Sequence, residues 1–189
     1  MSEAKFSIGI DLGTTHCALS YVNIGACDGE QVVQEVLKIP QLTAPGSVES
    51  LGLLPSFLYL PHASELAVGD LHLPWTAEQN FAVGEMARSR GAATPIRLVS
   101  SAKSWLCHAG VDRRAAILPN DAPPEVTRLS PLEASLRYLR HLRAAWDHAH
   151  ADAPFVDQEI VVTIPASFDP AARELTAEGA RAAGGEHII

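Results

Sequence analysis

The first half of segment 6–22 alternates between apolar and polar residues with the period of two expected of a β-strand. Its apolar positions fall on one face: Phe6, Ile8, Ile10 and Leu12. Asp11 falls on the opposite face. Residues 13–15, Gly-Thr-Thr, interrupt the alternation, and residues 17–22 predict a second strand that returns beside the first. The pattern therefore predicts a β-hairpin with an aspartate at the mouth of its turn.

The predicted turn has the composition of a phosphate-binding loop. Glycine and threonine bring backbone N–H groups and hydroxyls close together, as a phosphate requires. The carboxylate of Asp11 could then hold a hydrated Mg²⁺, because Mg²⁺ keeps several of its waters and takes few protein ligands. An ordinary hairpin with an aspartate at its turn is the alternative, and the local pattern leaves both open.

The middle of the chain predicts short strands separated by loops. Residues 31–39 predict a third strand ended by Pro40, so that three strands would form an antiparallel meander. Residues 40–55 contain three prolines and two glycines and predict a loop at a subdomain boundary. Further elements are predicted as follows: a strand at 56–61, a loop-rich insertion at 61–80, a strand end running into a helix at 81–90, a helix at 96–107 and a loop at 108–129.

The C-terminal third carries the clearest helix signals. Residues 130–133, Ser-Pro-Leu-Glu, form a capping box with proline in the first helical position, and leucines follow at helical spacing. Residues 159–164 are a nearly continuous apolar run, typical of a central parallel strand. Asp169 and Pro170 predict the start of another helix that closes near Gly184. Residues 186–189 predict the beginning of one more strand, and so short a strand predicts a truncated sequence.

Composition and charge restrict the partners of the protein. Among 189 residues there are 14 basic and 22 acidic side chains, a net charge of −8, which argues against a nucleic-acid or anionic-membrane surface. No run approaches the length of about 18 apolar residues that a membrane helix requires. Three scattered cysteines without a C-x-x-C pair predict a cytoplasmic protein. His141, His148 and His150 cluster without further metal ligands and are expected to be packed or solvated.

Two segments resemble motifs of one protein family. Residues 9–15 read G-I-D-L-G-T-T, which resembles the first phosphate-binding motif of the Hsp70 (DnaK-type) chaperones and, more loosely, of the actin and sugar-kinase superfamily. Residues 160–184 read I-V-V-T-I-P-A-S-F-D-P-A-A-R-E-L-T-A-E-G-A-R-A-A-G. This string is similar, nearly residue by residue, to an Hsp70 segment that sugar kinases and actins do not share. The family resemblance therefore depends mainly on the second segment.

A third segment and the order of all three extend the resemblance. Residues 83–90, V-G-E-M-A-R-S-R, and residues 102–106, A-K-S-W-L, look like the family's V-G-x-x-A-K followed by its K-R-L-I-G. The resemblance implies the first lobe of an Hsp70 nucleotide-binding domain. The implied fold is α/β and ribonuclease-H/actin-like, with a mixed five-stranded sheet, flanking helices and a smaller inserted α+β subdomain.

The resemblance also implies a division of the chain. Residues 1–44 and 129–189 would form the sheet subdomain, and residues 45–128 would form the smaller inserted subdomain. Nothing in the sequence resembles the family's second phosphate motif, its adenosine motif or its peptide-binding domain. We therefore expect ATP or ADP with Mg²⁺ to bind tightly only when a second lobe completes the site.

The resemblance to Hsp70 implies roles for the residues of this chain that match the family's motifs. Asp11 would stand beside the Mg²⁺ shell, and the residues lining the phosphates would be Gly13, Thr14, Thr15 and His16, the last in place of the family's asparagine. The catalytic lysine of V-G-x-x-A-K falls on Arg88, whose planar guanidinium does not reproduce a compact ammonium, so that hydrolysis could be slow or lost. Pro165 and Arg173 match the proline and arginine that relay the nucleotide state to the peptide-binding domain. Ser167 replaces a tyrosine in that relay region.

The implied function is that of a chaperone ATPase. In a full-length protein, ATP binding and hydrolysis would be coupled to the binding of unfolded client proteins, with co-chaperones as possible partners. Two alternatives stay open. A non-catalytic nucleotide-sensing module is favoured by Arg88 and Ser167, whereas a small-molecule kinase of the same superfamily is disfavoured by the P-A-S-F-D-P-A-A-R string.

Overall fold

The computed structural model describes residues 4–26, 32–164 and 168–184, and it shows a mixed α/β protein. The strands are β1 (Phe6–Leu12), β2 (His16–Asn23), β3 (Gln34–Val36), β4 (Ile39–Ala44), β5 (Ser47–Leu51), β6 (Leu54–Pro55), β7 (Leu58–Tyr59), β8 (Ala82–Val83), β9 (Leu98–Val99) and β10 (Glu159–Thr163). The helices are α1 (Glu85–Ala93), α2 (Ala102–Leu106), α3 (Pro131–Ala149) and α4 (Pro170–Ala182). This arrangement confirms the predicted α/β class.

The main sheet contains five strands and mixes parallel with antiparallel pairs. Its order is β10–β1–β2–β3, and β6 is an additional partner of β2. β1, β2 and β3 form the predicted antiparallel meander. β10 runs parallel to β1, with Asp11 opposite Thr163, so the carboxyl ends of both strands meet at one edge. The sequence did not predict β6 as a member of this sheet, and the strand predicted at 186–189 lies outside the described residues.

Helix α3 buries the apolar face of β1. The β1 side chains Ile8 and Ile10 share a core with Leu139 and Trp146 of α3, and α4 packs on α3. Both predicted helix starts are confirmed. The Ser130 hydroxyl accepts a 3.0 Å hydrogen bond from the N–H of Glu133. At the start of α4 the Asp169 carboxylate accepts a 2.7 Å bond from the N–H of Ala172.

Residues 40–55 form strands, and the predicted loop is wrong there. β4 and β5 pair as an antiparallel hairpin, joined at Pro45 and Gly46, and Gly46 has the positive φ of 68° that such a tight turn favours. Pro40 lies inside β4 and does not end the preceding strand. A two-stranded sheet tolerates proline because each strand has a free edge, where a missing N–H breaks no ladder bond.

A third, small sheet places α1. β7 lies between β8 and β9, which confirms the strand predicted at 56–61 and the strand-to-helix transition predicted at 81–90. The helix predicted at 96–107 is confirmed only as α2. Leu98 and Val99 instead form β9, because Val99 is buried in register with Leu58 of β7. Tertiary pairing therefore overrides the local helical pattern in this segment.

Candidate functional site

Asp11 and the following turn lie at the carboxyl edge of the main sheet. Asp11 is exposed at the end of β1, and the Thr163 hydroxyl approaches its Oδ1 at 3.4 Å. We call residues 13–15 the phosphate turn, and both of its threonines are exposed. Ligands of α/β sheets bind at the carboxyl ends of strands, so the predicted site residues lie where such a sheet binds ligands.

Gly13 is required in the phosphate turn by close packing. A Cβ atom at this position would lie 2.1 Å from the carbonyl oxygen of His16, a separation that no side chain allows. The Gly13 carbonyl accepts a 2.8 Å hydrogen bond from the hydroxyl of Ser56. Because the peptide unit is planar and trans, the N–H of Thr14 points away from Ser56. The turn thus offers a backbone donor and two exposed hydroxyls, and these groups suit a phosphate oxygen.

Ser56 supports the phosphate turn, and the sequence did not single it out. Its backbone N–H donates to the Thr15 carbonyl at 2.9 Å, in addition to the hydroxyl bond to Gly13. Its own carbonyl accepts from the Tyr138 hydroxyl of α3 at 3.0 Å. Ser56 is buried, although it stands in the apolar run L-L-P-S-F-L. A buried serine within an apolar run is the one signal that could have indicated its role.

Cys17 lies beneath the phosphate turn and is chemically quiet. Its thiol is fully buried, 3.3 Å from the Ser56 hydroxyl. Burial raises the pKa of Cys17 to about 11, although the hydrogen bond to Ser56 opposes that shift. The thiol is therefore protonated at neutral pH and is not a nucleophile.

Arg88 and His16 line one shallow pocket beside the phosphate turn. This Arg88 pocket has a volume of about 310 Å³, and its walls are His16, Leu51, Gly52, Leu53, Pro55, Glu85 and Arg88. The Arg88 side chain is 50% exposed, and its guanidinium donates to the Glu85 carboxylate at 2.8 Å. The structure thus brings the predicted replacement of the catalytic lysine to the same pocket as His16. A larger cavity of about 550 Å³ contains none of the predicted site residues.

Gln41 joins Leu53 and Glu85, which lie in the lining of the Arg88 pocket, and the sequence did not indicate this role. Its fully buried amide donates to the Leu53 carbonyl at 2.8 Å and accepts from the Glu85 N–H at 3.0 Å. Gly84 precedes α1 with a φ of 89°, and a Cβ there would lie 2.4 Å from the Gln41 side-chain oxygen. The glycine of the V-G-x-x-A-K-like segment therefore permits both the left-handed backbone and the close approach of Gln41.

The predicted relay residues are only partly described. Pro165 lies outside the described residues, as does Ser167. Arg173 is exposed on α4, and its Nε donates to the Phe168 carbonyl at 3.0 Å. The start of α4 is held by a two-pronged contact of Arg113 with Asp169, with distances of 3.0 and 2.6 Å. The Arg113 guanidinium and the Ala172 N–H together lower the pKa of Asp169 to about 2.

The described part of the chain shows neither a metal site nor a membrane-spanning helix. No three histidine, cysteine or acidic residues there come together as a metal site, and His141 is instead buried with its Nε2 2.9 Å from the Pro40 carbonyl. None of the helices in residues 4–26, 32–164 and 168–184 has the length and apolar character needed to cross a bilayer.

Comparison with known proteins finds relatives that align with nearly the whole chain. No protein-family model matches it. Curated proteins similar to it are chaperones, and the similarity extends over 96% of this chain. These chaperones are members of the Hsp70 family, the same family that the motifs resemble.

Its relatives within that family are proteins named HscA. The chaperone protein HscA homolog of Bordetella petrii is 29% identical over 191 residues. The corresponding homolog of Bordetella pertussis is 30% identical over 191 residues, and chaperone protein HscA of an Enterobacter species is 28% identical over 194 residues. The chain spans 26% of the length of each of these relatives.

Proposed function

We propose that this chain forms the first lobe of the nucleotide-binding domain of an Hsp70-type chaperone and supplies half of a site for MgATP or MgADP. The observation that carries the proposal is the placement of the phosphate turn. Gly13 and the exposed threonines lie at the carboxyl edge of β1, and Arg88 lies in the adjoining pocket. The kinship to HscA chaperones supports the same reading.

Each side chain has a distinct role in the proposed site. Asp11 would hold Mg²⁺ through its waters, and residues 13–15 would bind phosphate oxygens through a backbone N–H and two hydroxyls. His16 would line the rim of the phosphates, and Arg88 would offset their negative charge. Bound MgATP would supply the β–γ phosphoanhydride bond, and its hydrolysis would transfer the γ-phosphoryl group to water.

The finer architecture is proposed on the same basis. We assign the ribonuclease-H/actin-like fold, with residues 1–44 and 129–189 as the sheet subdomain and residues 45–128 as the inserted subdomain. Pro165 and Arg173 would relay the nucleotide state to a peptide-binding domain. The full-length protein would bind unfolded clients, with co-chaperones as regulators, in the cytoplasm.

Calorimetric titration with MgADP tests the proposal directly. The full-length protein is expected to bind at micromolar strength or better, about −8 kcal/mol, whereas the 189-residue chain should give no detectable heat. Binding of micromolar strength by the isolated chain would show a self-contained site and overturn the half-site assignment. Absence of binding by the full-length protein would overturn the nucleotide function itself.

A non-catalytic nucleotide sensor is the second candidate, and the Glu85–Arg88 contact favours it. The guanidinium is already paired with a carboxylate 2.8 Å away, and its planar fork differs from an ammonium. If the protein is such a sensor, it should bind MgATP without turnover, and Arg88→Lys should restore hydrolysis. Turnover by the wild-type protein at the rate of the Arg88→Lys variant would exclude this candidate.

A further inference from the structure

We infer that Ser56 is the positioning residue of the site, because it fixes the phosphate turn relative to the helix that carries Arg88. The inference rests on the proposed nucleotide function and extends it to a residue that touches neither a phosphate nor Mg²⁺. Ser56 lies between β6 and β7, behind the phosphate turn as seen from solvent.

On one side, Ser56 holds the phosphate turn by two hydrogen bonds. Its hydroxyl donates to the Gly13 carbonyl at 2.8 Å, and its N–H donates to the Thr15 carbonyl at 2.9 Å. The carbonyls at the two ends of the turn are therefore drawn towards one buried residue. This contact directs the Thr14 N–H outwards, since the N–H and C=O of one trans peptide point in opposite directions.

On the other side, the same segment holds helix α3 and residues 84–88, the start of α1, which we call the Arg88 wall. The carbonyl of the next residue, Phe57, accepts a 3.1 Å hydrogen bond from the N–H of Gly84, which immediately precedes α1. The Ser56 carbonyl accepts from the Tyr138 hydroxyl in the middle of α3 at 3.0 Å. Residues 56 and 57 thus connect the phosphate turn, the start of α1 and α3 through successive peptide units.

Burial makes this connection stiff. Ser56 is 2% exposed and Tyr138 is 2% exposed, so water cannot readily replace either hydroxyl. A site for a charged ligand needs its donors held within about 0.5 Å of the productive geometry, and a buried supporting group achieves this. Ser56 is suited to this role because it offers a hydroxyl, an N–H and a carbonyl at once.

The test compares Ser56→Ala with Ser135→Ala in the full-length protein. Ser135 is also buried, and its hydroxyl donates to the Pro131 carbonyl inside α3 at 2.9 Å, so both variants lose one buried hydroxyl. Ser56→Ala should weaken MgADP binding about tenfold, the equivalent of one lost hydrogen bond of about 1.4 kcal/mol. Ser135→Ala should leave the affinity unchanged.

Alkylation of Cys17 by iodoacetamide provides a readout that needs no nucleotide. The Cys17 thiol lies directly under the turn, 3.3 Å from the Ser56 hydroxyl. Loosening the turn should raise its labelling rate about tenfold in Ser56→Ala relative to Ser135→Ala, because labelling follows the free energy of local opening. Peptide mass spectrometry measures Cys17 separately, with Cys107 in the same digest as reference.

The outcomes separate the two proposals. If the wild-type protein binds no nucleotide but Ser56→Ala still accelerates Cys17 labelling, the proposed function fails and the positioning role stands. Equal labelling and equal affinity in the two alanine variants would overturn the role of Ser56. If Ser56→Ala does not fold, Tyr138→Phe decides in its place, since it removes only the hydroxyl that holds the Ser56 carbonyl. That variant should shift both readouts in the same direction, and no shift would overturn the inference.

Discussion

The phosphate turn and the Arg88 wall would contact the same nucleotide in the proposed site, yet they are held in different ways. The turn is fixed by backbone: Gly13 has no room for a Cβ, and Ser56 binds carbonyls at both ends of the turn. Arg88 is fixed by one carboxylate of its own helix, and half of its side chain is in water. The wall behind it is held by the buried Gln41 amide.

The difference shows which part of the site the fold determines. Exposed ion pairs contribute about 0–1 kcal/mol and exchange partners easily, so Arg88 can leave Glu85 for a phosphate without cost to the fold. The turn cannot move without breaking buried hydrogen bonds. We therefore expect substitutions in the turn to change stability and binding together, and substitutions at Arg88 to change binding alone.

The largest effect is expected from Gly13→Ala. The added Cβ would lie 2.1 Å from the His16 carbonyl oxygen. Ser56 holds the Gly13 carbonyl, and His16 is held in β2 opposite Pro55, so neither backbone can easily move away. In the full-length protein, the variant should lose about 3 kcal/mol or more of unfolding free energy and all measurable MgADP binding. Urea denaturation and calorimetry measure the two losses.

Gly25→Ala is the matched control for that variant. Among the residues that the structure describes, a Cβ at residue 25 would meet only the Asn23 side-chain oxygen at 3.6 Å, an ordinary contact. Its stability should change by less than about 1 kcal/mol. If Gly13→Ala were as stable as Gly25→Ala, the turn would be more adaptable than its packing indicates, and the contrast with Arg88 would disappear.

The second largest effect is a loss of stability at acidic pH through His141, which contacts the residue before Gln41. His141 of α3 is buried against Pro40 of β4, and burial lowers its pKa to about 4. The unfolded chain, with an ordinary histidine pKa of about 6.5, binds the proton more readily, so the stability present above pH 6.5 is lost as the pH falls towards 4. The loss should reach about 3 kcal/mol.

Urea denaturation between pH 7 and 4 measures this loss of unfolding free energy. The His141→Gln variant should not show the loss over the same pH range. The contribution of Asp169 to the unfolding free energy depends on pH in a lower range. Its pKa of about 2 lies below the ordinary value of 3.8, so that its stabilisation is lost only as the pH falls from about 4 towards 2. An unchanged pH profile in His141→Gln would show that the histidine is not the titrating group.

Much of the turn and the helix starts could be predicted from sequence because their signals are local. The alternation around Asp11 gives a strand, and a serine or aspartate before proline caps α3 and α4 through its own side chain. The site residues at 11 and 13–16 are consecutive, so predicting the hairpin placed them together. The motif also links Arg88 to them. That link stays a prediction, although Arg88 and His16 line one pocket.

The supports of the site could not be predicted because their partners are distant in sequence. Ser56 contacts residues more than 40 positions before it and 82 positions after it, and Gln41 reaches Glu85 over 44 positions. The position of Ser56 within an apolar run is a weak signal of such a contact, and Gln41 stands in no pattern that marks one. The β4–β5 hairpin was missed for another reason: its prolines suggested a loop, although Pro45-Gly46 is itself a turn signal.

A smaller effect is expected from Gln41→Met, which keeps the shape of the side chain but removes its hydrogen bonds. The Leu53 carbonyl and the Glu85 N–H would lose their partner, at a cost of about 2 kcal/mol. Cys17 labelling should stay at the wild-type rate, because Ser56 still holds the turn. Gln34→Met, on the exposed edge strand β3, is the control and should be close to neutral. Accelerated Cys17 labelling in Gln41→Met would show that Gln41 also holds the phosphate turn. The turn and the Arg88 wall would then not be held independently.

The smallest change in stability is expected from Arg88→Gln, compared with Arg90→Gln on the same helix. Both arginines are at least one-third exposed and pair with a carboxylate, Arg88 with Glu85 and Arg90 with Glu65 at 3.7 Å. Each substitution should change the unfolding free energy by less than about 0.5 kcal/mol. Only Arg88 lines the pocket beside the turn, so Arg88→Gln alone should weaken MgATP binding by the full-length protein, by about tenfold. Equal affinities of the two variants would mean that Arg88 remains with Glu85 when the nucleotide binds. The cation of the site would then have to be sought elsewhere, and the fixed turn would be the only part of this lobe that recognises phosphate.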